Sequence, residues 1–299
     1  MVFTYRNITV SGSRADTEGA SKFIQEAKLF LEGGGWTTED NQTAQPGSAT
    51  ASGTHKLVLK SNGEGNPYAT FYMTIFSGTG AAVGSSQVSF MMSTAYNSTT
   101  HDVPTTGTST NLSNAQDAQT TLNTPSEANF EVWMSGDSEG VAFVTRNGAT
   151  YDTVCVGRAN SFSSQFNNPY PLYVNSASTS TITVATSTTA RAVGGQPPQA
   201  FNATSDCETQ TMTALTSTNQ PYDLDAATSI FLAVPLVLIY NDTSPLRKGV
   251  AGTLRSVWAT VGTTAGALAE GRLTASGTFG VQTYRVFPNA ADALLIRET

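Results

Sequence analysis

The sequence predicts an all-β protein, a β-sandwich or a barrel-like set of antiparallel sheets, with one amphipathic helix near the N-terminus. About a quarter of the 299 residues are Ser or Thr, and Thr favours strands because its branched β-carbon suits a pleated surface. Ser, Gly and Asn are typical of the turns between strands. The apolar residues also form short runs bounded by such turn residues, which indicates many short strands.

The helix is predicted from apolar residues that recur at intervals of three and four and therefore share one face. These residues are Ala20, Phe23, Ile24, Ala27, Phe30 and Leu31. Asp16 or Thr17 is expected to cap the start of the helix. The glycines at 33–35 are expected to end it, because glycine adopts the left-handed backbone that closes a helix. Trp36 then resumes the chain as an expected core residue.

Strands are predicted after the helix, each bounded by Gly, Asn or Ser. They span 55–60, 68–76 and 87–94. The stretch 97–126 has almost no apolar residues, so it is expected to be a surface loop or a segment ordered by a partner. A three-stranded meander is predicted over 129–157, because Asn147 and Gly148 favour a tight hairpin between two apolar runs.

The C-terminal half is predicted to add further strands. Prolines extend the segment 169–173, and the Ser/Thr-rich tract 175–189 is either an edge strand or a flexible linker. The apolar run 230–240 predicts a core strand that Pro235 places at an edge or interrupts, because proline cannot donate to a ladder. The remaining strands are expected at 249–260, 279–287 and 293–297, with Trp258 and Phe287 in the core.

A Gly- and Pro-rich stretch at 194–198 marks a predicted boundary. It separates residues 1–193, the helix plus a β-rich domain, from residues 194–299. The second segment is a β-rich portion that either stands apart or completes the same domain. We leave both alternatives open from the sequence.

Charge and hydropathy exclude some classes of partner. The net charge is −7 and the isoelectric point is near 4.8, which disfavours direct binding to a phosphate backbone. The longest apolar stretch is about half the ~20 residues that a membrane helix needs. The N-terminus shows no secretory leader, so we expect synthesis in a cytoplasm, with no direct nucleic-acid or membrane partner.

Candidate catalytic groups are few, and we expect no enzyme, no cofactor and no metal. His55 opens a predicted strand, and His101 lies in the polar loop beside Asp102, where a His-Asp dyad would be solvated rather than oriented, so a surface histidine is the favoured interpretation there. Paired carboxyls could serve glycoside hydrolysis, but Glu127 with Glu131, and Asp137 with Glu139, have the spacing of ordinary turn residues.

The two cysteines, Cys155 and Cys207, lack CxxC spacing and a nearby histidine. Cys155 alternates with valines in an apolar run. Buried thiols are therefore the favoured interpretation, and a disulfide between the two is the alternative.

One group of aromatic residues remains as a candidate contact for a glycan or a protein partner. It consists of Trp133, Tyr151, Tyr170 and Tyr173. Exposed rings of this kind stack on sugars, whereas rings at alternating strand positions pack in a core. The core is the favoured interpretation.

A series of motifs then appears in a specific order along the chain. The helix runs into Gly35-Trp36-Thr37, and the later pieces are LVLKSNG at 57–63, VAFVTRNG at 141–148, TVCVG at 153–157, Pro-Tyr-Pro-Leu at 169–172, GVAGTLRSVW at 249–258 and YRVF at 284–287. In this order the chain resembles a family of tailed-bacteriophage virion structural proteins.

The resemblance implies a structural component of a virion. Such a component would act through homo-oligomeric contacts, as a trimer or hexamer, and through other virion structural proteins in the tail, neck or baseplate. It would be made and assembled in the host bacterial cytoplasm. Two alternatives remain open at this point: a head decoration protein on the capsid surface, and a receptor- or glycan-binding module.

Overall fold

The fold class predicted from the sequence is confirmed. The computed structural model describes residues 1–9, 15–42, 55–77, 87–93, 96–99, 120–123, 129–147, 150–158, 160–161, 172–179, 191–193, 195–196, 199–200, 207–210, 232–241, 248–261, 270–277, 280–288 and 293–298. These residues form antiparallel sheets and one α-helix. No sheet of the described part closes into a barrel. No helix in the described part is long and apolar enough to cross a membrane.

The central sheet has six antiparallel strands; strands are numbered in chain order throughout. Their spatial order is β1 (Val2–Ile8), β7 (Phe130–Asp137), β8 (Gly140–Asn147), β9 (Thr150–Arg158), β11 (Leu172–Thr179) and β12 (Arg191–Val193). The predicted meander is thus confirmed as β7, β8 and β9. Both faces of these strands are buried, since Val132 and Trp133 point to opposite sides and each is at most 2% exposed.

A second sheet lies on the side of the helix and is called the helix-side sheet. Its order is β2 (Thr37–Gln42), β3 (Lys56–Lys60), β4 (Tyr72–Ser77), β5 (Gln87–Ser93) and β6 (Thr120–Asn123). Two short 3₁₀ turns, Gly63–Gly65 and Pro67–Ala69, join β3 to β4. The strands predicted at 55–60, 68–76 and 87–94 correspond to β3, β4 and β5, although β4 begins only at Tyr72.

The C-terminal sheet covers the other face of the central sheet. Its order is β15 (Cys207–Gln210), β16 (Leu232–Asn241), β17 (Lys248–Val261), β20 (Ala293–Arg297), β19 (Gly280–Pro288) and β18 (Gly271–Gly277), with β10 (Asn160–Ser161) also paired to β17. A separate hairpin joins β13 (Gly195–Gln196) to β14 (Gln199–Ala200). The predicted interruption at Pro235 is confirmed, because the register shifts between Pro235 and Val237.

Helix α1 (Ala15–Gly33) packs between the central and helix-side sheets. All six residues of its predicted apolar face are buried. It ends as expected, since Gly35 has a φ of 97° and the Trp36 N–H donates to Leu31 O at 3.0 Å. The predicted cap was wrong: the helix begins at Ala15, so Asp16 and Thr17 lie inside its first turn. The apolar repeat starts only at Ala20 and therefore does not fix the helix start.

Aromatic rings fill the core between these two sheets. Phe23 of the helix contacts Phe90 of β5 and Phe143 of β8, with ring centroids 6.1 and 5.3 Å away. Phe90 and Phe143 also contact each other at 5.4 Å. Trp36 packs edge-on against Phe71 and donates from Nε1 to Asp137 O at 2.7 Å. The first core therefore joins the helix to two sheets.

The second core lies between the central sheet and the C-terminal sheet. Trp133 and Tyr151 of the central sheet pack edge-on against Phe287 of β19, at 5.1 and 5.9 Å. Phe287 is fully buried, as predicted, whereas Trp258 is only partly buried, against Tyr284. Residues from both sides of the predicted boundary at 194 share this core, and the chain forms three stacked β layers.

Candidate functional site: a buried ion cluster between three sheets

Five charged side chains meet where the three sheets come together; they are called the Glu139 cluster. Glu64 belongs to the 3₁₀ turn after β3, Asp137 and Glu139 to the turn between β7 and β8, Arg158 to the end of β9, and Arg255 to the middle of β17. The cluster therefore draws residues from the helix-side, central and C-terminal sheets. In the chain, Arg255 is 191 positions from Glu64.

The β7–β8 turn fixes the position of Glu139. Asp137 Oδ1 accepts hydrogen bonds from the N–H groups of Glu139 at 2.9 Å and Gly140 at 3.1 Å. The side chain of Glu139 is fully buried, and its Oε1 accepts from the Glu64 N–H at 3.0 Å. Its Oε2 lies 3.3 Å from Arg158 Nε, at ion-pair distance but without hydrogen-bond geometry.

Two arginines, each with a side chain only 10% exposed, bridge the carboxylates. Arg255 donates to Glu64 Oε1 at 2.5 Å, to Asp137 Oδ2 at 3.1 Å and to the backbone oxygen of Arg158 at 2.8 Å. Arg158 Nη2 lies 2.8 Å from Glu64 Oε2. Each arginine thus contacts groups from more than one sheet, and the cluster ties the layers together.

Burial and charge shift the pKa values of two carboxyls in opposite directions. Burial raises the pKa of Glu139, and the charges of Arg158 and Arg255 only partly offset it. Burial also acts to raise the pKa of Glu64, but hydrogen bonds and charge from Arg255 and Arg158 outweigh it and lower the pKa overall. Two neighbouring carboxyls therefore differ in proton affinity because of their surroundings.

Residues with a positive φ are concentrated at the same place. The described residues with positive φ are Gly35, Gly63, Glu64, Gly65, Gly157 and Ser256. All belong to the cluster or adjoin it in the chain, except Gly35, where an added Cβ would lie 3.3 Å from Ser138 Cβ. Glu64 and Ser256 adopt this conformation despite having a side chain, at φ of 53° and 63°. Strain of this kind persists only where the surrounding contacts enforce it.

Gly157 carries a prediction for this junction. Its φ is 148°, and an added Cβ would lie 2.4 Å from Gly140 Cα and 2.5 Å from Glu139 O. Because both neighbours are backbone atoms, Gly157→Ala is expected to lower the free energy of unfolding by about 2 kcal/mol or more. Urea unfolding of the variant and of the parent protein measures this change in the free energy of unfolding. Gly33→Ala is the matched control, since a Cβ there meets nothing within 4 Å, and equal losses in the two variants would contradict the assignment.

A second ion cluster, called the Trp133 stack, joins the central and C-terminal sheets. The guanidinium groups of Arg146 and Arg285 lie 5.4 and 5.5 Å from the centroid of the Trp133 ring. Glu270 accepts from Arg285 at 2.7 Å and also pairs with Arg146. Arg146 further pairs with Glu131 on the neighbouring strand. Two carboxylates here balance two guanidinium groups around one buried ring.

Of the four aromatic residues predicted as a possible glycan or partner contact, the structure describes the side chains of two, Trp133 and Tyr151. Trp133 and Tyr151 are 2% and 8% exposed, and the Tyr151 hydroxyl donates to Glu270 at 2.6 Å. These two rings are core residues and have no free face for a sugar. Tyr173 lies in β11, but its side chain is outside the described part, as is Tyr170 altogether. Sequence analysis missed Tyr5, whose ring packs on Trp133 at 5.4 Å.

The described part of the chain contains one of the two histidines, His55, which directly precedes β3. His55 is only 1% exposed and its Nε2 lies 3.0 Å from Asn41 Oδ1. Burial lowers the pKa of His55. His101 and Glu127 lie outside the described residues. Across the described part, no group of three or more His, Cys, Asp or Glu side chains is placed to hold a metal ion.

Cys155 is a buried free thiol, as favoured by its sequence pattern. Burial raises its pKa to about 12, so the reactive thiolate is scarce at neutral pH. In a Cys207→Ser variant, Cys155 is therefore expected to react with an aromatic disulfide reagent at pH 8 at least ~100-fold more slowly than when unfolded. Absorbance of the released thiolate measures both rates. Comparable rates in the native and urea-unfolded protein would contradict this burial.

Neither the models of known protein families nor the curated proteins match this chain.

Proposed function

We propose that the chain is a structural subunit of a tailed-bacteriophage particle, located in the tail, neck or baseplate. It acts through contacts with copies of itself and with neighbouring virion proteins, and its place is the virion. The ordered motifs from Gly35-Trp36-Thr37 to the YRVF segment at 284–287 are the source of this assignment.

One structural observation supports the proposal most: the described ion clusters tie sheet to sheet. In the Glu139 cluster, Arg158 and Arg255 contact carboxylates from different sheets. In the Trp133 stack, Arg146 bridges Glu131 and Glu270 in the same way. Ion pairs that join one sheet to another favour a rigid, layered body, which keeps its shape when neighbouring subunits exert force on it. Such a body suits a particle subunit.

Composition supports the same proposal. A surface rich in Ser, Thr and Asn contacts neighbours without stripping water from many charges. Repeated subunits usually close into symmetric rings, so we propose a trimer or hexamer. A head decoration protein is the alternative within the same class, and the number of copies per particle distinguishes the two positions.

Purified phage particles provide the test. An antibody raised against this chain should label them in immunogold electron microscopy, and an antibody against an abundant host cytoplasmic protein is the control for carry-over. Quantitative mass spectrometry should give tens of copies per particle for a tail, neck or baseplate protein. Hundreds of copies per particle would instead indicate a protein of the head. Absence of the chain from purified particles, by both labelling and mass spectrometry, would overturn the proposal.

A further inference from the structure

The Glu139 cluster holds one more carboxylate than guanidinium. Glu64, Asp137 and Glu139 face Arg158 and Arg255, and all five lie within one connected set of contacts. With every group ionised, the cluster therefore carries one negative charge in excess. An uncompensated charge in a buried site is costly, and proteins usually neutralise it by binding a proton.

The excess negative charge is located on Glu139. Both oxygens of Glu64 contact guanidinium groups, and both oxygens of Asp137 accept hydrogen bonds. Glu139 is fully buried, and its Oε2 accepts no hydrogen bond from any described residue. Oε2 of Glu139 is therefore the oxygen in the cluster best placed to take a proton.

We propose that the Glu139 cluster is a proton-operated latch between the three sheets. Uptake of one proton at Oε2 of Glu139 balances the charges of the cluster and tightens the junction, and loss of that proton loosens it. The latch concerns the same cluster that supports the proposed function, but it does not require the chain to be a virion component, and its test is separate from the labelling of virions.

The part that moves is the turn around Glu64. This turn joins β3 to β4, and the side chain of Glu64 is 53% exposed. It is held to the central sheet by the Glu64 N–H, which donates to Glu139 Oε1, and by the two arginines. The positive φ of Glu64 favours release once these contacts weaken. Opening would place the carboxyl of Glu139 in water.

The direction of the pH response follows from burial. Burial raises the pKa of Glu139 above its ordinary value of 4.5, so the closed junction binds the proton more tightly than the open one. Closing is thus favoured fully below pH 4.5 and is lost as the pH rises through the raised value. Arg158 and Arg255 remain charged throughout. The pKa of Glu64 is lowered, so that carboxyl stays ionised while Glu139 takes its proton.

Two measurements on the full chain test the latch. Carbon-13 NMR of the glutamate carboxyls, assigned with Glu139→Gln, should show Glu139 titrating above 4.5. Hydrogen exchange of the Glu64 amide, divided by its intrinsic rate at each pH, should slow several-fold as the pH falls through the range in which the NMR signal of Glu139 titrates. Titration of Glu139 at or below 4.5, or exchange that does not slow as Glu139 takes up its proton, would overturn the proposal.

Variants separate the latch from a merely structural cluster. Glu139→Gln should lose the pH response of the Glu64 amide. Glu64→Gln removes the excess charge, so it should lower the pKa of Glu139; this variant keeps the test decisive if Glu139→Gln does not fold. Glu26→Gln removes a half-buried carboxylate that pairs with Arg6 outside the cluster, and it should retain the full response. An unchanged response in Glu139→Gln, or an unchanged pKa of Glu139 in Glu64→Gln, would count against the latch.

Local exchange is the required readout because His55 acts in the opposite direction on overall stability. Burial lowers the pKa of His55, so its contribution is lost as the pH falls below its ordinary value of 6.5. His55 lies at the other end of β3 from Glu64. The unfolding midpoint therefore combines opposed effects, whereas the Glu64 amide, which donates both to Glu139 Oε1 and to Asn62 Oδ1, reports the state of this turn locally.

Discussion

Arg158→Met is expected to lower the free energy of unfolding by about 3–5 kcal/mol, because it removes one partner of a buried ion pair. Met fills much of the volume of Arg without its charge. Glu139, which is fully buried and lies 3.3 Å from Arg158 Nε, would then lose its closest cation. Urea unfolding at neutral pH, followed by tryptophan fluorescence, measures the loss.

Two comparisons show whether the loss arises from the buried charge. Arg6→Met removes an arginine that is 51% exposed and pairs with Glu26, so it should cost less than ~1 kcal/mol. In Arg158→Met the pKa of Glu139 should rise further, and part of the lost stability should return as the pH falls toward 4.5. A loss no larger than that of Arg6→Met would show that the pair contributes little.

Sequence reasoning predicted those elements whose signal is local. The meander of β7, β8 and β9 is formed by three apolar runs joined by short turns, and the helix has a clear apolar face from Ala20 to Leu31. In both cases the residues that decide the structure lie within a few positions of one another. Hydrophobic periodicity is sufficient for such elements.

Most of the strands missed by the sequence analysis lie at sheet edges. They include β1, β2, β6, β12, β15 and β18, each the terminal strand of its sheet. The strand β2 reads TTEDNQ and β18 reads GRLTASG, so neither contains an apolar run. Edge strands keep polar residues because one side faces away from the sheet, and charge there discourages pairing with other chains. Their strand structure depends on the neighbour they pair with.

The Glu139 cluster could be predicted only in part. Asp137 and Glu139 were recognisable as a pair of carboxyls in a turn, but nothing in the spacing placed Arg158 or Arg255 beside them. Arg255 reaches Glu64 across 191 positions, and this contact depends on how β17 stacks against the central sheet. The positive φ of Ser256 also has no sequence signal. Long-range packing of this kind requires the tertiary structure.

Phe23→Ala is expected to lower the free energy of unfolding by about 3–5 kcal/mol, through the cavity it leaves in the first core. Phe23 is fully buried and contacts Phe90 and Phe143, so its loss affects the helix and both sheets at once. Phe23→Leu should cost less, because it leaves a smaller cavity. Urea unfolding with an unchanged dependence on denaturant concentration would show that both variants keep the native compactness.

Leu29→Ala on the same helix is the matched control for Phe23→Ala. Leu29 is 63% exposed, and Ala is the stronger helix former, so this change should alter stability by less than ~0.5 kcal/mol. The two substitutions differ in burial but share the helix and the product residue. A large difference between them would therefore locate the stabilisation in the aromatic contacts rather than in helix propensity. Similar losses would instead mean that Phe23 is not packed between the two sheets.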